Sequence, residues 1–76
     1  MTIDFSLPRP GAVQAGIFDA SGRLVWTAPD QTMPAGRHSL RWNRLDLHAA
    51  PVPAGVYYFE LRGDGQRLGR PLVLIR

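Results

Sequence analysis

Pro53-Ala54-Gly55-Val56-Tyr57-Tyr58-Phe59-Glu60-Leu61-Arg62 is the stretch whose reading decides the fold. It opens on turn residues, continues through aromatic, β-branched and aliphatic positions, and closes at Gly63-Asp64-Gly65. Such side chains suit a pleated, half-buried surface, so the stretch predicts a strand. In a strand, alternate side chains share a face. Tyr57, Phe59 and Leu61 then form an uncharged face that belongs in a core, with Val56, Tyr58 and Glu60 on the other. The remaining strands are expected to bury that uncharged face.

Working outward, the partner strand is Gln66 to Ile75, returning across the Gly63–Gly65 turn. Its end, Leu72-Val73-Leu74-Ile75, is apolar on both faces. That pattern predicts a central strand, or one whose outer side packs on another part of a longer protein. Pro71 cannot donate to a ladder and belongs at an edge or bulge. Toward the N-terminus, Ile3, Phe5 and Leu7 alternate with Asp4 and Ser6 until Pro8-Arg9-Pro10-Gly11 interrupts. A second strand, Ala12 to Phe18, turns inward Val13, Ala15 and Ile17, and Asp19-Ala20-Ser21-Gly22 supplies type I turn chemistry for a hairpin. The third strand, Arg23 to Ala28, has apolar residues on both faces, which a β-bulge would accommodate. Pro29 to Gly36 reads as a loop, and Arg37 to Asn43 as a fourth strand with His38, Leu40 and Trp42 inward. Trp42 can anchor a small core if its N–H finds an acceptor. Arg44 to Ala54 is irregular, and Pro51 and Pro53 argue for an extended crossing.

No helical periodicity of useful length occurs. The expected fold is all-β, a small antiparallel sandwich of about six to seven strands forming one module over residues 1–76. Its expected core is Phe5, Ile17, Leu40, Trp42, Tyr57, Phe59, Leu61 and Leu72. A chain of 76 residues buries only about 60% of its unfolded surface, and with no cysteine it has no disulfide to assist. Met1-Thr2-Ile3-Asp4 does not begin a signal peptide, so a role outside the cell implies a piece of a longer exported chain. No run reaches the roughly 18 apolar residues of a helical membrane span. The nine basic side chains are all Arg and are scattered, not clustered with exposed aromatics as a nucleic-acid groove requires.

The polar residues suggest structural roles. Asp19 is placed to cap turn amides, Asp46 to order the long loop, and Glu60 to pair with a cross-strand Arg. His38 and His48 have no third ligand at a metal-binding spacing, and one carboxylate is far short of a calcium site. No nucleophile elbow or phosphate loop is present, so neither catalysis nor a cofactor is expected. Arg62-Gly63-Asp64 spells an adhesive tripeptide, but Gly-Asp-Gly is also ordinary turn chemistry.

Read together, several segments carry a resemblance. They are Ile3-Asp4-Phe5-Ser6-Leu7-Pro8, Val13 through Ile17-Phe18-Asp19 with Gly22-Arg23, Pro34-Ala35-Gly36-Arg37-His38 leading to Trp42-Asn43, Asp46, Val52-Pro53-Ala54-Gly55-Val56-Tyr57, and Leu72 to Arg76. In order and spacing the chain resembles the immunoglobulin-like domain of flagellar hook-capping proteins. That module is closely related to the C-terminal sorting domains of the type IX secretion system. Arg44 and Ala49 stand where such domains usually carry Gly. The resemblance implies a non-enzymatic β-sandwich recognised by protein partners, either secretion machinery or other domains of the parent chain. In the sorting form it would end a secreted or cell-surface bacterial protein, with Leu74, Ile75 and Arg76 as candidate recognition residues. That is the leading expectation. A structural assembly role like hook capping is the alternative, and a carbohydrate platform built on Trp26 and Tyr58 a third.

Overall fold

A computed structural model describes residues 1–63 and 65–75. Seven strands form in chain order: β1 (Thr2–Leu7), β2 (Gly11–Asp19), β3 (Leu24–Thr27), β4 (Gln31–Met33), β5 (Gly36–Arg41), β6 (Gly55–Gly63) and β7 (Gln66–Leu74). All pairings are antiparallel. One sheet holds β1 and β5; the other runs β3-β2-β6-β7, with β4 also on β2. The all-β sandwich is as expected, and β6 lies between its two longest neighbours.

The alternation read from the sequence sets the two inner faces. Ile3, Phe5 and Leu7 of β1 meet Val13, Ala15 and Ile17 of β2 and Tyr57, Phe59 and Leu61 of β6, all buried. Phe5 and Phe59 place their ring centres 5.8 Å apart, a direct contact between the sheets. Trp42, fully buried, stands just past β5 and meets Tyr57 edge-on at 5.9 Å. Its indole N–H donates to the Leu45 carbonyl at 3.0 Å, the acceptor a buried Trp needs. The Tyr57 hydroxyl donates to the Pro53 carbonyl at 2.7 Å, fixing the entry into β6. That corner resembles the tyrosine corner of immunoglobulin sandwiches.

Four expectations need correction or refinement. β7 is an edge strand, not a central one: among the described residues it pairs with β6 alone, so Leu72 and Leu74 enter the core while Val73 and Ile75 face solvent. Pro71 is tolerated there because an edge strand has one unpaired side. Leu40 is half-buried and packs against the core margin, because the smaller sheet has too few strands to cover it. The segment Pro29 to Gly36 contains a strand, β4, whose Gln31–Met33 pair with Val13–Gly11. Backbone groups at the start of β2 require partners that β3 is too short to supply. In β3, Val25 is the inward residue, and a register shift between Ile17 and Phe18 lets Trp26 also reach the core margin.

Two tight approaches depend on particular side chains. Gly63 has φ 157°, and a Cβ there would lie 1.9 Å from the Ala12 carbonyl oxygen, so β6 can cross β2 only without a side chain. Gln66, buried at the start of β7, uses its amide like a strand partner: it accepts from Arg9 N at 3.2 Å and donates to Arg9 O at 3.1 Å. That bridge satisfies the backbone where two prolines break the chain.

Replacing Trp42 removes the largest core side chain and its contacts to both Tyr57 and Trp26. Trp42→Ala should cost about 3–5 kcal/mol, enough to unfold most of the population at 25 °C, as read by near-ultraviolet circular dichroism and urea titration.

Candidate functional site

Neither histidine enters a constellation. His38 Nε2 lies 2.7 Å from the Pro34 carbonyl and its ring packs 5.7 Å from Phe5 at the sandwich rim. His48 is exposed on the long loop. Among the described residues, no group of three His, Cys, Asp or Glu side chains could hold a metal ion.

Asp19 and Asp46 are turn organisers of the same design. Asp19 Oδ1 accepts from the Ser21 hydroxyl at 2.6 Å, the Ser21 amide at 3.0 Å and the Arg23 amide at 3.0 Å. Asp46 Oδ1 accepts from the amides of His48 at 2.8 Å and Ala50 at 3.0 Å. Hydrogen bonds to the charged form favour it. The Ser21 hydroxyl, then the Arg23 amide, lower the Asp19 pKa below its ordinary 3.8. The Ala50 amide, then that of His48, do the same for Asp46. The two carboxylates line one hollow with Arg23 and His48, yet each is committed to holding its own loop. Leu47 N then bonds Val25 O at 3.0 Å, tying the Asp46 loop to β3. The fourth position of each turn adopts a left-handed backbone: Gly22 at φ 89°, Ala49 at φ 61°. Arg44 does likewise at φ 63°. The two positions where this chain lacks the usual Gly are thus, among the described residues, the two non-glycine residues with positive φ.

The feature best suited to recognition is the outer face of the larger sheet. Across three strands, Phe18 of β2, Tyr58 of β6 and Pro71 of β7 stand in one row, with Val56 beside Val73 in the next. Tyr58 is 47% exposed, Val56 43%, Val73 66% and Ile75 71%. Leu24 extends this apolar band onto β3. Toward the other end the face becomes charged: Glu60 Oε2 receives Arg67 at 2.9 Å, and Glu60 Oε1 lies 3.6 Å from Arg62. Contiguous exposed apolar surface of this kind commonly marks a contact site.

The three candidate recognition residues separate here. Leu74 is core, Ile75 is exposed, and Arg76 lies outside the described residues. Asp64 of the Arg62-Gly63-Asp64 tripeptide lies outside them as well. Trp26 packs against Trp42 with centroids 6.3 Å apart, two strands away from Tyr58. Val56 stands on the outward face of β6 that its alternation with Tyr57 predicts, and Val73 on the outer side of the two-faced apolar run at 72–75.

A scan of family models matches residues 1–66 to the FlgD Ig-like domain. The chain belongs to the FlgD Ig-like domain family. Among solved structures, the crystal structure of FlgD from P. aeruginosa is similar at 27% identity with a TM-score of 0.75. The match covers 90% of this chain and 55% of that one, so this domain spans about half the length of that FlgD chain. No curated protein matches. Both findings fall on the hook-capping side of the expected resemblance.

Two measurements test the loop chemistry. Relief of left-handed strain at Ala49, about 1–2 kcal/mol, exceeds the added flexibility of glycine, about 0.4–1 kcal/mol. Ala49→Gly should therefore raise the thermal midpoint by about 3–5 °C. The depressed carboxylates contribute stability that is complete above their unfolded pKa and is lost as pH falls through the folded values. In urea titrations, the stability deficit of Asp19→Asn/Asp46→Asn should therefore be full at neutral pH and shrink as pH drops below the ordinary 3.8.

Proposed function

We propose that this FlgD Ig-like domain is a non-enzymatic structural assembly module of the flagellar hook-capping kind. It works outside the cell as part of a longer exported bacterial chain and packs against neighbouring protein subunits through the outer face of its larger sheet. Family membership supports the class of role. The observation that carries the choice of surface is the solvent-facing band of Phe18, Tyr58 and Pro71 beside Val56 and Val73. A sandwich held together from within has no internal use for that band. The type IX sorting reading rests on the expected kinship of the module with sorting domains, to which neither comparison adds support. With Leu72 and Leu74 in the core, it leaves Val73 and Ile75 as the side chains an export machine would meet.

The test is a domain exchange in P. aeruginosa FlgD, with this chain replacing the matching region and hook assembly scored by electron microscopy. The exchanged protein should support hooks, and Tyr58→Asp with Val73→Asp should abolish them while the isolated chain keeps its thermal midpoint within a few degrees. A folded exchange protein that builds no hooks would count against the assembly reading.

A further inference from the structure

Immunoglobulin sandwiches of the constant type distribute seven strands as four and three. Here the division is five and two, so β1 has β5 on one side and, among the described residues, no strand on the other. Trp42 N donates to Met1 O at 2.8 Å and Met1 N to Trp42 O at 2.7 Å, which makes them a hydrogen-bonded pair. Such pairs alternate along an antiparallel ladder. Ile3, Phe5 and Leu7 therefore bond to β5, while Thr2, Asp4 and Ser6 aim their amides and carbonyls at the open side.

One of those outward carbonyls is already in use. Asp4 O accepts from Arg70 Nη1, which reaches over from β7 in the opposite sheet. Between these strands lies a cleft of about 710 Å³, bordered by Asp4 and Ser6 on one side and Arg70 on the other, with Phe59 and Leu68 also lining it. Arg37 lines the same cleft. The Asp4 carboxylate is engaged by the Ser39 hydroxyl at 2.6 Å, and neither Arg37 nor Arg70 pairs with a carboxylate among the described residues. An open ladder edge, an apolar floor and surplus cationic charge thus meet in one place.

We propose that the β1 edge receives an extended segment of a partner protein as an added strand of the smaller sheet. That segment is apolar on the side facing Phe59 and Leu68 and carries a carboxylate opposite Arg70. Strand addition draws affinity from main-chain bonds and specificity from alternate side chains. In the free domain Arg70 caps the Asp4 carbonyl and so shields the edge from indiscriminate pairing. On binding, an incoming N–H takes that carbonyl, and the guanidinium turns to the partner's carboxylate. The proposal rests on the reading that the domain works by being bound, but it places the contact away from the outer face.

The probe is a capped eight-residue peptide of alternating threonine and valine in which one valine of the inward face is replaced by glutamate, compared with its lysine counterpart, titrated into the ¹⁵N-labelled chain. Saturable shifts and slowed hydrogen exchange are expected at Thr2, Asp4 and Ser6, with about tenfold tighter binding of the glutamate peptide. Ser6→Pro removes one outward N–H and leaves the ladder to β5 intact, so it should weaken binding about tenfold with little change in thermal midpoint. Arg70→Gln, at an exposed position, should erase the preference for glutamate over lysine even if Ser6→Pro proves unstable. Shifts confined to Val56, Tyr58 and Val73 would overturn this proposal and leave the assembly reading standing. Absence of binding by either peptide to the folded chain would overturn it too. So would protection of the β1 amides that rises with protein concentration alone, which would assign the edge to a second copy.

Discussion

The meeting of Trp42 with Tyr57 is the interaction on which the rest depends. A two-stranded sheet has little hold of its own, since isolated two-stranded hairpins are marginal in water. Here it is kept in place by what it buries against the larger sheet. Trp42 extends from the end of β5 to reach Tyr57 on β6, and Phe5 reaches Phe59 on the same strand. With no disulfide available, these aromatic contacts hold the two layers together. The polar ends of both rings are matched within the loop that joins the sheets. The indole N–H bonds Leu45 O, and the Tyr57 hydroxyl bonds Pro53 O. One pair of side chains thus fixes both the layer contact and the ends of the segment between β5 and β6.

That arrangement also explains where the polar chemistry went. Asp19 and Asp46 resemble active-site carboxylates only in lying along one hollow; their oxygens are filled by turn amides. A small domain spends such groups on its loops because it has few other means of ordering them. The strain at Arg44 and Ala49 sits within this same crossing. Arg44 also gains a contact, donating to the Ile75 carbonyl at 2.9 Å and tying the crossing to the end of β7.

The proposed function places the work of the domain on its surfaces. The larger sheet presents apolar residues where a free sandwich needs none, and the smaller sheet leaves an edge open beside a cationic cleft. A FlgD Ig-like domain acting by contact has two distinct regions to offer, on opposite layers. They differ in kind: one is a side-chain face, the other a backbone edge guarded by Arg70.

The sequence by itself determined which residues face inward along most strands. Side-chain alternation is local, so Tyr57, Phe59 and Leu61 were legible from a single stretch, and the turn at Asp19 to Gly22 from four residues. Strand order was decided only by the tertiary structure, because it depends on which edges meet across distant parts of the chain. Thus β7, apolar on both faces, came to lie at an edge, β4 formed against the unpaired start of β2, and Leu40 stayed half-covered. The outer apolar band was foreshadowed by Val56 and Tyr58 opposite the core face and by the two-faced run at 72–75, but the open side of β1 was invisible in one dimension. It is defined by a neighbour that the strand lacks, and a linear pattern records only the neighbours along the chain.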